Sequence, residues 1–542
     1  MPDVEPTESS AATRRDVFRQ FAVRAALVAA ALGLGAAYGS ALLDPTVGTI
    51  HDDGIYVVTA RALAEGQGYR IISLPDTPPQ TKYPILFPWL LSLVWRLVPT
   101  FPDNLPWLRL VPLSAGVLWL WLSRQLILAC GASRTTATTV VLLTAISPWT
   151  LYLGMALLSE TLFAALATGA VLALTVSDTA LAAKARRLCV LAGLLSGAAL
   201  LTRAAAVGLI AAGIAWLLWR RRVAAAAAYA TAVAVVGAPW ALWVITQNDA
   251  VAQTYYSASP YASWNIVFSY SWSEKLDVLI GNVAYSALTL PTFWNFPPNQ
   301  VVLVTGAAAA TAAVIYGMWL TRRNAATAYV AVIAAMNLMW VWSPARFYLP
   351  VLPLLLWQMS EALRRLPRVV AVLLVVVVAS TSAVGAFQLR TRPQLGEWRE
   401  VMPLMEWIRR ETPPQAIVAG LFDPVYFLFA ERRAVRPFEV NPYAMFYGPQ
   451  GDSRPLGTLD EFRRRLLAAR VDYCVRSPGN WMLESAPFHR LLSDLAVAYP
   501  GSLEVVAGSE ASGYAVYAVD RARLSPDGHT GGQRGDPVAQ RP

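Results

Sequence analysis

Charge-free apolar runs recur through most of the first 390 residues of this chain, and arginines stand between them. The run Ala25 to Leu43 carries no charged residue, and a helix of roughly 20 apolar residues spans a bilayer. A soluble chain has about a quarter charged residues; here 14% are charged and 56% hydrophobic. Such a sequence can fold only as an α-helical polytopic membrane protein. The net charge of +10 does not indicate nucleic acid as a partner, because the basic residues cluster at the ends of apolar runs, where membrane topology requires them. Cys130, Cys189 and Cys474 match no metal or redox spacing, and no disulfide is expected.

Basic residues fix the path through the membrane. Arg14, Arg15, Arg19 and Arg24 precede the first apolar run, which keeps the segment 1–19 in the cytoplasm and the following loop outside. Pro84 to Pro99 is apolar but short, proline-bounded and interrupted by Arg96; it reads as a helix lying in the outer interface. Crossings are then expected at Leu105 to Leu128, Thr136 to Leu153, Thr161 to Ser177, Leu188 to Thr202, Ala204 to Trp219, Val223 to Ile245, Val301 to Leu320, Asn324 to Trp342, Phe347 to Ser360 and Val369 to Leu389. With the first run this makes about eleven transmembrane helices. The clusters Lys184/Arg186/Arg187, Arg220/Arg221/Arg222, Arg322/Arg323 and Arg364/Arg365/Arg368 all then face the cytoplasm.

The transmembrane domain spans 20–389, with outer loops at 44–104 and 246–300. The second loop is crowded with aromatics, including Tyr255, Tyr256, Tyr261, Trp264, Tyr270, Trp272 and Trp294, as suits a segment at headgroup level. From 390 to 524 an amphipathic helix over Trp398–Arg410, with a kink expected at Pro403, leads into alternating short strands and helices. The strands are expected at Ala416–Gly420, Ala434–Phe438, Asp472–Arg476, Leu503–Ala507 and Tyr514–Val519, the helices at Leu459–Ala469 and Phe488–Ala498. Together they describe a small extracytoplasmic α/β domain. The tail 525–542 has the composition of a disordered segment.

Ionisable residues gather at the outer ends of these spans. Asp52 and Asp53 follow the first crossing; two adjacent acids can divide labour, one accepting a proton while the other orients it. Either could equally cap the helix that begins there. Glu160 opens a span, where an ionisable residue is a functional candidate, although a carboxylate there also complements the helix dipole. Arg203 interrupts the charge-free stretch between Leu188 and Trp219, at a cost of at least about 2.5 kcal/mol unless it snorkels or is paired. Lys82 and Arg346 are further cations on that face, and His51 reads as a local hydrogen-bond partner.

These residues sit in stretches that resemble motifs of the GT-C superfamily of polytopic glycosyltransferases, especially its protein O-mannosyltransferase and lipid A aminoarabinose transferase group. Asp52-Asp53-Gly54-Ile55-Tyr56 with Ala60-Arg61-Ala62-Leu63-Ala64-Glu65-Gly66 resembles the acidic first-loop motif and its interfacial helix. Lys82-Tyr83-Pro84-Ile85-Leu86 is similar to a Lys-Pro-Pro-Leu element, departing from it at Tyr83 and Ile85. Ser159-Glu160-Thr161-Leu162-Phe163 resembles the second acidic motif, and Leu200-Leu201-Thr202-Arg203 a Leu-Thr-Lys turn with arginine for lysine. Ser343-Pro344-Ala345-Arg346-Phe347-Tyr348-Leu349-Pro350 is similar to an Arg-Tyr-Leu-Leu-Pro segment, with Phe347 where tyrosine is usual. The resemblance covers about Ala25 to Leu389.

It implies an inverting transferase of the cytoplasmic membrane that moves a hexosyl or pentosyl unit, on the extracytoplasmic face, from a polyprenyl-phosphate donor to a lipid, protein or polysaccharide acceptor. Asp52 would be the base, Asp53 and Glu160 would orient the acceptor or tune that base, and Lys82, Arg203 and Arg346 would bind the donor phosphate. Some relatives are thought to use a divalent cation, but no ligand cluster in the sequence commits this chain to one. The competing readings are a secondary transporter, which would show internal repeats and broken helices at mid-membrane, and a non-catalytic protein that binds polyprenyl lipids.

Overall fold

A computed structural model describes residues 42–247, 268–296, 299–342, 345–364, 366–390, 393–448, 455–477, 484–509 and 513–525, with scattered positions between 33 and 40. Residues 1–44 form a compact unit of their own, and the described positions among 33–42 are helical. The N-terminal arginines and most of the Ala25–Leu43 run fall outside the described residues, as do the aromatics from Tyr255 to Trp264 and the whole tail beyond 525.

The remaining unit begins with two short helices, α1 (Asp52–Ala64) and α2 (Leu86–Leu97), packed on each other. At 12 residues α2 is too short to cross, in keeping with its expected place in the interface. Further helices follow: α3 (Leu105–Ala129), α4 (Arg134–Ala145), α5 (Pro148–Met155), α6 (Glu160–Ser177), α7 (Ala182–Leu200), α8 (Ala206–Trp219) and α9 (Val223–Thr246). After them come α10 (Trp272–Phe293), α11 (Gln300–Leu320), α12 (Ala325–Leu338), a 3₁₀ turn (Ala345–Val351), α13 (Leu352–Leu363) and α14 (Arg368–Arg390). Six of these helices are long and apolar enough to span a membrane by length and composition, or up to seven if the bent pair α4–α5 is one span. That pair was expected as one straight helix from Thr136 to Leu153; it bends by 63° because Pro148 has no N–H to continue the ladder.

Part of 246–300, expected as an outer loop, is the helix α10. Its 22 residues begin with a capping box, in which the Ser271 side chain and Glu274 satisfy each other's backbone donors. Asp277 near one end accepts from the Tyr443 hydroxyl of the C-terminal domain at 2.7 Å, while Asn295 beyond the other end meets Gln388 in the last turn of α14 at 3.0 Å.

The C-terminal domain opens on α15 (Pro393–Glu411), an unbroken helix that contains Pro403. It continues through β1 (Ile417–Ala419), α16 (Asp423–Ala430), β2 (Arg433–Val435), α17 (Pro442–Phe446), α18 (Leu459–Ala468), β3 (Tyr473–Arg476), α19 (Ser485–Ala498), β4 (Leu503–Ser509) and β5 (Tyr514–Val519). The strands form one mixed sheet in the order β2-β1-β3-β5-β4, parallel at β2-β1-β3 and antiparallel at β3-β5-β4. All five overlap their expected segments, β2 only at Ala434 and Val435.

This domain packs into the membrane unit, and one apolar core joins Val47 and Ile55 to Val425 and Tyr426. The Ala434 N–H donates to the Ser73 carbonyl at 2.9 Å, and Arg433 donates to the Pro75 carbonyl at 2.6 Å. The contact is closest at two glycines. A Cβ on Gly54 would stand 2.7 Å from Pro424, and one on Gly48, where φ is +81°, would stand 2.4 Å from Val425. Overpacking of this kind costs typically 1–3 kcal/mol. Gly54→Val should therefore lower the temperature at which the full chain in detergent loses its monodisperse peak on size exclusion, and should speed proteolysis between the domains.

Candidate functional site

The acidic pair divides as two roles. His51, at φ 66°, is the residue preceding α1, and no side chain caps the helix. Asp53 turns back instead: its carboxylate accepts from the Gly48 N–H at 2.7 Å and the Ile50 N–H at 3.2 Å. Arg109 of α3 pins the same loop by donating to the Thr46 carbonyl at 2.5 Å. His51 Nε2 meets Asp423 Oδ1 of α16 at 2.7 Å, with both side chains buried, so its partner lies in the other domain. Asp53 is thus fixed inside the loop, and Asp52 is the acid that faces away from it.

Four distant segments converge on Asp52. The Tyr83 hydroxyl donates to its Oδ1 at 2.5 Å, and Arg346 Nη2 donates to its Oδ2 at 2.6 Å. The same guanidinium stands with Nε 3.1 Å from Glu160 Oε1, and Arg203 Nη1 lies 2.8 Å from that oxygen. Arg203 also donates to the Ser159 hydroxyl at 3.2 Å, which is 3.0 Å from the Tyr56 hydroxyl. Both guanidiniums lie 5.7 Å from the centre of the Phe347 ring. Acid, cation, acid and cation therefore alternate as Asp52–Arg346–Glu160–Arg203.

Each residue is carried there by a recognisable device. Glu160 is the first residue of α6, and Ser159 before it leaves its hydroxyl for Arg203 and Tyr56 rather than for the helix end. Arg203 lies in the turn between α7 and α8, which is tied to the Lys82 segment by a 2.8 Å bond from the Leu86 N–H to the Leu201 carbonyl. Gln80 receives the Lys82 and Tyr83 N–H groups on its side-chain oxygen, and its carbonyl accepts from Trp243 of α9. Arg346 is the second residue of the 3₁₀ turn, while Ser343 and Pro344 of its motif fall outside the described residues. Lys82 Nζ sits 5.2 Å over the Tyr83 ring.

Burial and charge set the protonation states. For Asp52, burial alone would raise the pKa, but Arg346, Lys82 and the Tyr83 hydroxyl outweigh it and hold the carboxyl well below the usual range. For Arg346, Glu160 and Asp52 overcome burial and strengthen its hold on its proton. Burial lowers Lys82 most, with Asp52 opposing and Arg436 adding to the effect. Asp53 is pushed up to about 6 by burial, against three backbone N–H groups that stabilise its charge.

All six residues singled out in the sequence thus lie in this region: Asp52, Glu160, Arg203 and Arg346 in one chain of contacts, Lys82 in their field, and Asp53 behind them as support. Sequence reasoning missed Tyr83 as a donor, Tyr56, and the approach of Asp423 and Arg436 from the C-terminal domain. The departure of Tyr83 from the motif was the available signal for the first; nothing local announces a contact such as His51–Asp423, which spans 372 positions.

Among solved structures, ArnT from Cupriavidus metallidurans bound to undecaprenyl phosphate matches with a TM-score of 0.58 at 16% identity, over 92% of this chain and 99% of that one. Its apo form matches at 0.56 and 15%, over 93% and 100%. The GT-C fold is the fold of this chain. The Archaeoglobus fulgidus oligosaccharyltransferase in complex with zinc and sulfate matches at 0.56 and 15%, over 91% of this chain and 73% of that one. No protein-family profile and no curated protein matches the sequence.

A divalent cation does not suit this cluster of side chains. Among the described residues no three His, Cys, Asp or Glu side chains gather to hold one, and the space between Asp52 and Glu160 is bridged by the Arg346 guanidinium.

Asp53 supplies a test of the support. A carboxyl whose pKa rises from 3.8 to about 6 on folding binds its proton more tightly in the native state, so its contribution to stability is greatest below pH 4 and falls as pH rises to about 6. Asp52 has the opposite sign and a lower window: its contribution is complete above 3.8 and is lost only in stronger acid. Asp53→Asn should therefore flatten the decline in thermal stability between pH 4 and 6, measured on the full chain in detergent. The same slope in variant and parent would show that Asp53 does not titrate there.

Proposed function

We propose that this chain is an inverting membrane glycosyltransferase that takes a sugar from a polyprenyl-phosphate donor and passes it to an acceptor hydroxyl on the extracytoplasmic face. The observation that supports this most is the convergence of Asp52 and Glu160 with Arg203 and Arg346 at one end of a GT-C helix bundle. The ArnT structure of the same fold holds undecaprenyl phosphate, a ligand whose headgroup is what two arginines and a lysine would recognise.

Asp52 receives the acceptor hydroxyl proton as the acceptor oxygen bonds to the anomeric carbon. The bond from that carbon to the phosphate oxygen breaks on the opposite side, and its electron pair stays with the polyprenyl phosphate. Arg203, Arg346 and Lys82 stabilise the charge that develops there. Phosphate leaves without needing a proton, so one base suffices where a glycosidase uses an acid as well. Glu160 holds the two arginines in place. A transporter is disfavoured because the ionisable residues collect at helix ends rather than at broken helices in mid-bundle.

In vesicles supplied with a labelled polyprenyl-phosphate sugar, Asp52→Asn should lower transfer by at least about 10²-fold; transfer equal to the parent's would remove Asp52 as the base. Arg203→Lys keeps a charge against Glu160 but loses the guanidinium fork, and should raise the donor KM by about ten-fold, the effect of 1.4 kcal/mol. Unchanged saturation by donor would count against a phosphate role. For topology, cysteines placed at Pro99 and Glu504 should react with an impermeant reagent from outside, and one at Leu181 only from within.

A further inference from the structure

As it stands, Asp52 is poorly prepared to accept a proton. Tyr83 occupies Oδ1 and Arg346 occupies Oδ2, at 2.5 and 2.6 Å. A carboxylate so stabilised is a weak base, because the groups that favour its charged form oppose protonation. Arg346 holds more than this one contact: its Nε faces Glu160 Oε1 at 3.1 Å. Glu160, 2% exposed, keeps Arg203 at 2.8 Å whatever Arg346 does. Asp52 has no second guanidinium among the described residues. Removing Arg346 would therefore leave Glu160 paired with Arg203 and would vacate only Oδ2 of Asp52, with Tyr83 still on Oδ1. Arg346 and Asp52 are also the accessible members of the chain, with side chains 25% and 20% exposed, so an anion entering the site meets this pair first.

Resting on the reading that the site takes a polyprenyl-phosphate donor, we propose that Arg346, besides binding the phosphate, couples donor binding to the base. A phosphate oxygen of the donor takes the guanidinium from Asp52 Oδ2, and the vacated oxygen becomes the one that accepts the acceptor's proton. Arg346 keeps a partner of equal charge, trading a carboxylate for a phosphodiester, and Asp52, left with Tyr83 and the field of Lys82, becomes the stronger base. Tyr83 stays on Oδ1 and keeps the carboxylate oriented. After transfer, loss of the polyprenyl phosphate lets Arg346 return, and its field drives the proton from Asp52 to water. The consequence is a compulsory order, donor before acceptor, with no active base in the donor-free protein.

The full chain in lipid nanodiscs, titrated with undecaprenyl phosphate, tests this by infrared difference spectroscopy, with binding followed separately by native mass spectrometry. Binding should shift a carboxylate stretching band that is absent from Asp52→Asn. In Arg346→Ala the band should already stand at its shifted position and should not move when the lipid binds through Arg203 and Lys82. Lipid that binds the parent while the Asp52 band stays in place would overturn the coupling and leave the donor reading intact. Failure of the lipid to bind at all would overturn the donor reading, and the coupling with it.

Discussion

One guanidinium placed between two carboxylates sets the tolerances for the rest of this protein. Arg346 reaches Asp52 and Glu160 at once, and those residues come from a loop near the start of the chain and from a helix more than a hundred positions later. Charges removed from water are costly unless their partners are placed well, and breaking such a pair typically costs about 3–5 kcal/mol because a buried charge is stranded. The helices that deliver the three groups must therefore hold their relative positions within a few tenths of an ångström. The close packing between α6, α7 and α9, with Gly193 and Gly197 of α7 directly against the Tyr229 and Val236 region of α9, supplies that rigidity around the Arg203 turn.

The C-terminal domain belongs to the same scaffold. Its α16 meets the acidic loop through Asp423 on His51, Val425 against Gly48 and Pro424 against Gly54. Loop 46–53 is thus held on three sides: by its own Asp53, by Arg109 from α3, and by α16. A loop has few backbone hydrogen bonds of its own, so a site built on one needs support from packed elements to be rigid. Here that support comes from both ends of the chain, which gives the soluble domain a part in placing Asp52 without itself touching that carboxylate.

Much of the fold was legible because its signals are local. Apolar runs and the basic residues between them mark most of the helices, although eleven crossings were expected and six, or up to seven, of the described helices are long and apolar enough to cross. Alternation of apolar residues between turn signals marks the strands. The failures have local causes too. The first turns of α10 carry Ser273, Glu274, Lys275 and Asp277, which break the apolar run and make the segment read as loop, although Ser271 and Glu274 announce a helix start. The eight-residue α16 begins Asp-Pro, a pair that reads as a turn. Pro148 was legible as a residue but not as a 63° bend, since a proline can also lie inside an unbroken helix, as Pro403 does in α15.

The sequence by itself determined that the chain is a polytopic bundle with an α/β domain, which segments are helical, and which acids and cations fall at one set of helix ends. Those properties follow from hydrophobicity and charge, which each residue carries wherever it is. Tertiary structure alone decided that Asp52 rather than Asp53 faces the site, that Tyr83 and Arg346 share its two oxygens, that Glu160 binds two guanidiniums, and that His51 answers to Asp423. Pairings across tens or hundreds of positions depend on directions and distances of a few ångströms, and only the packed bundle sets these.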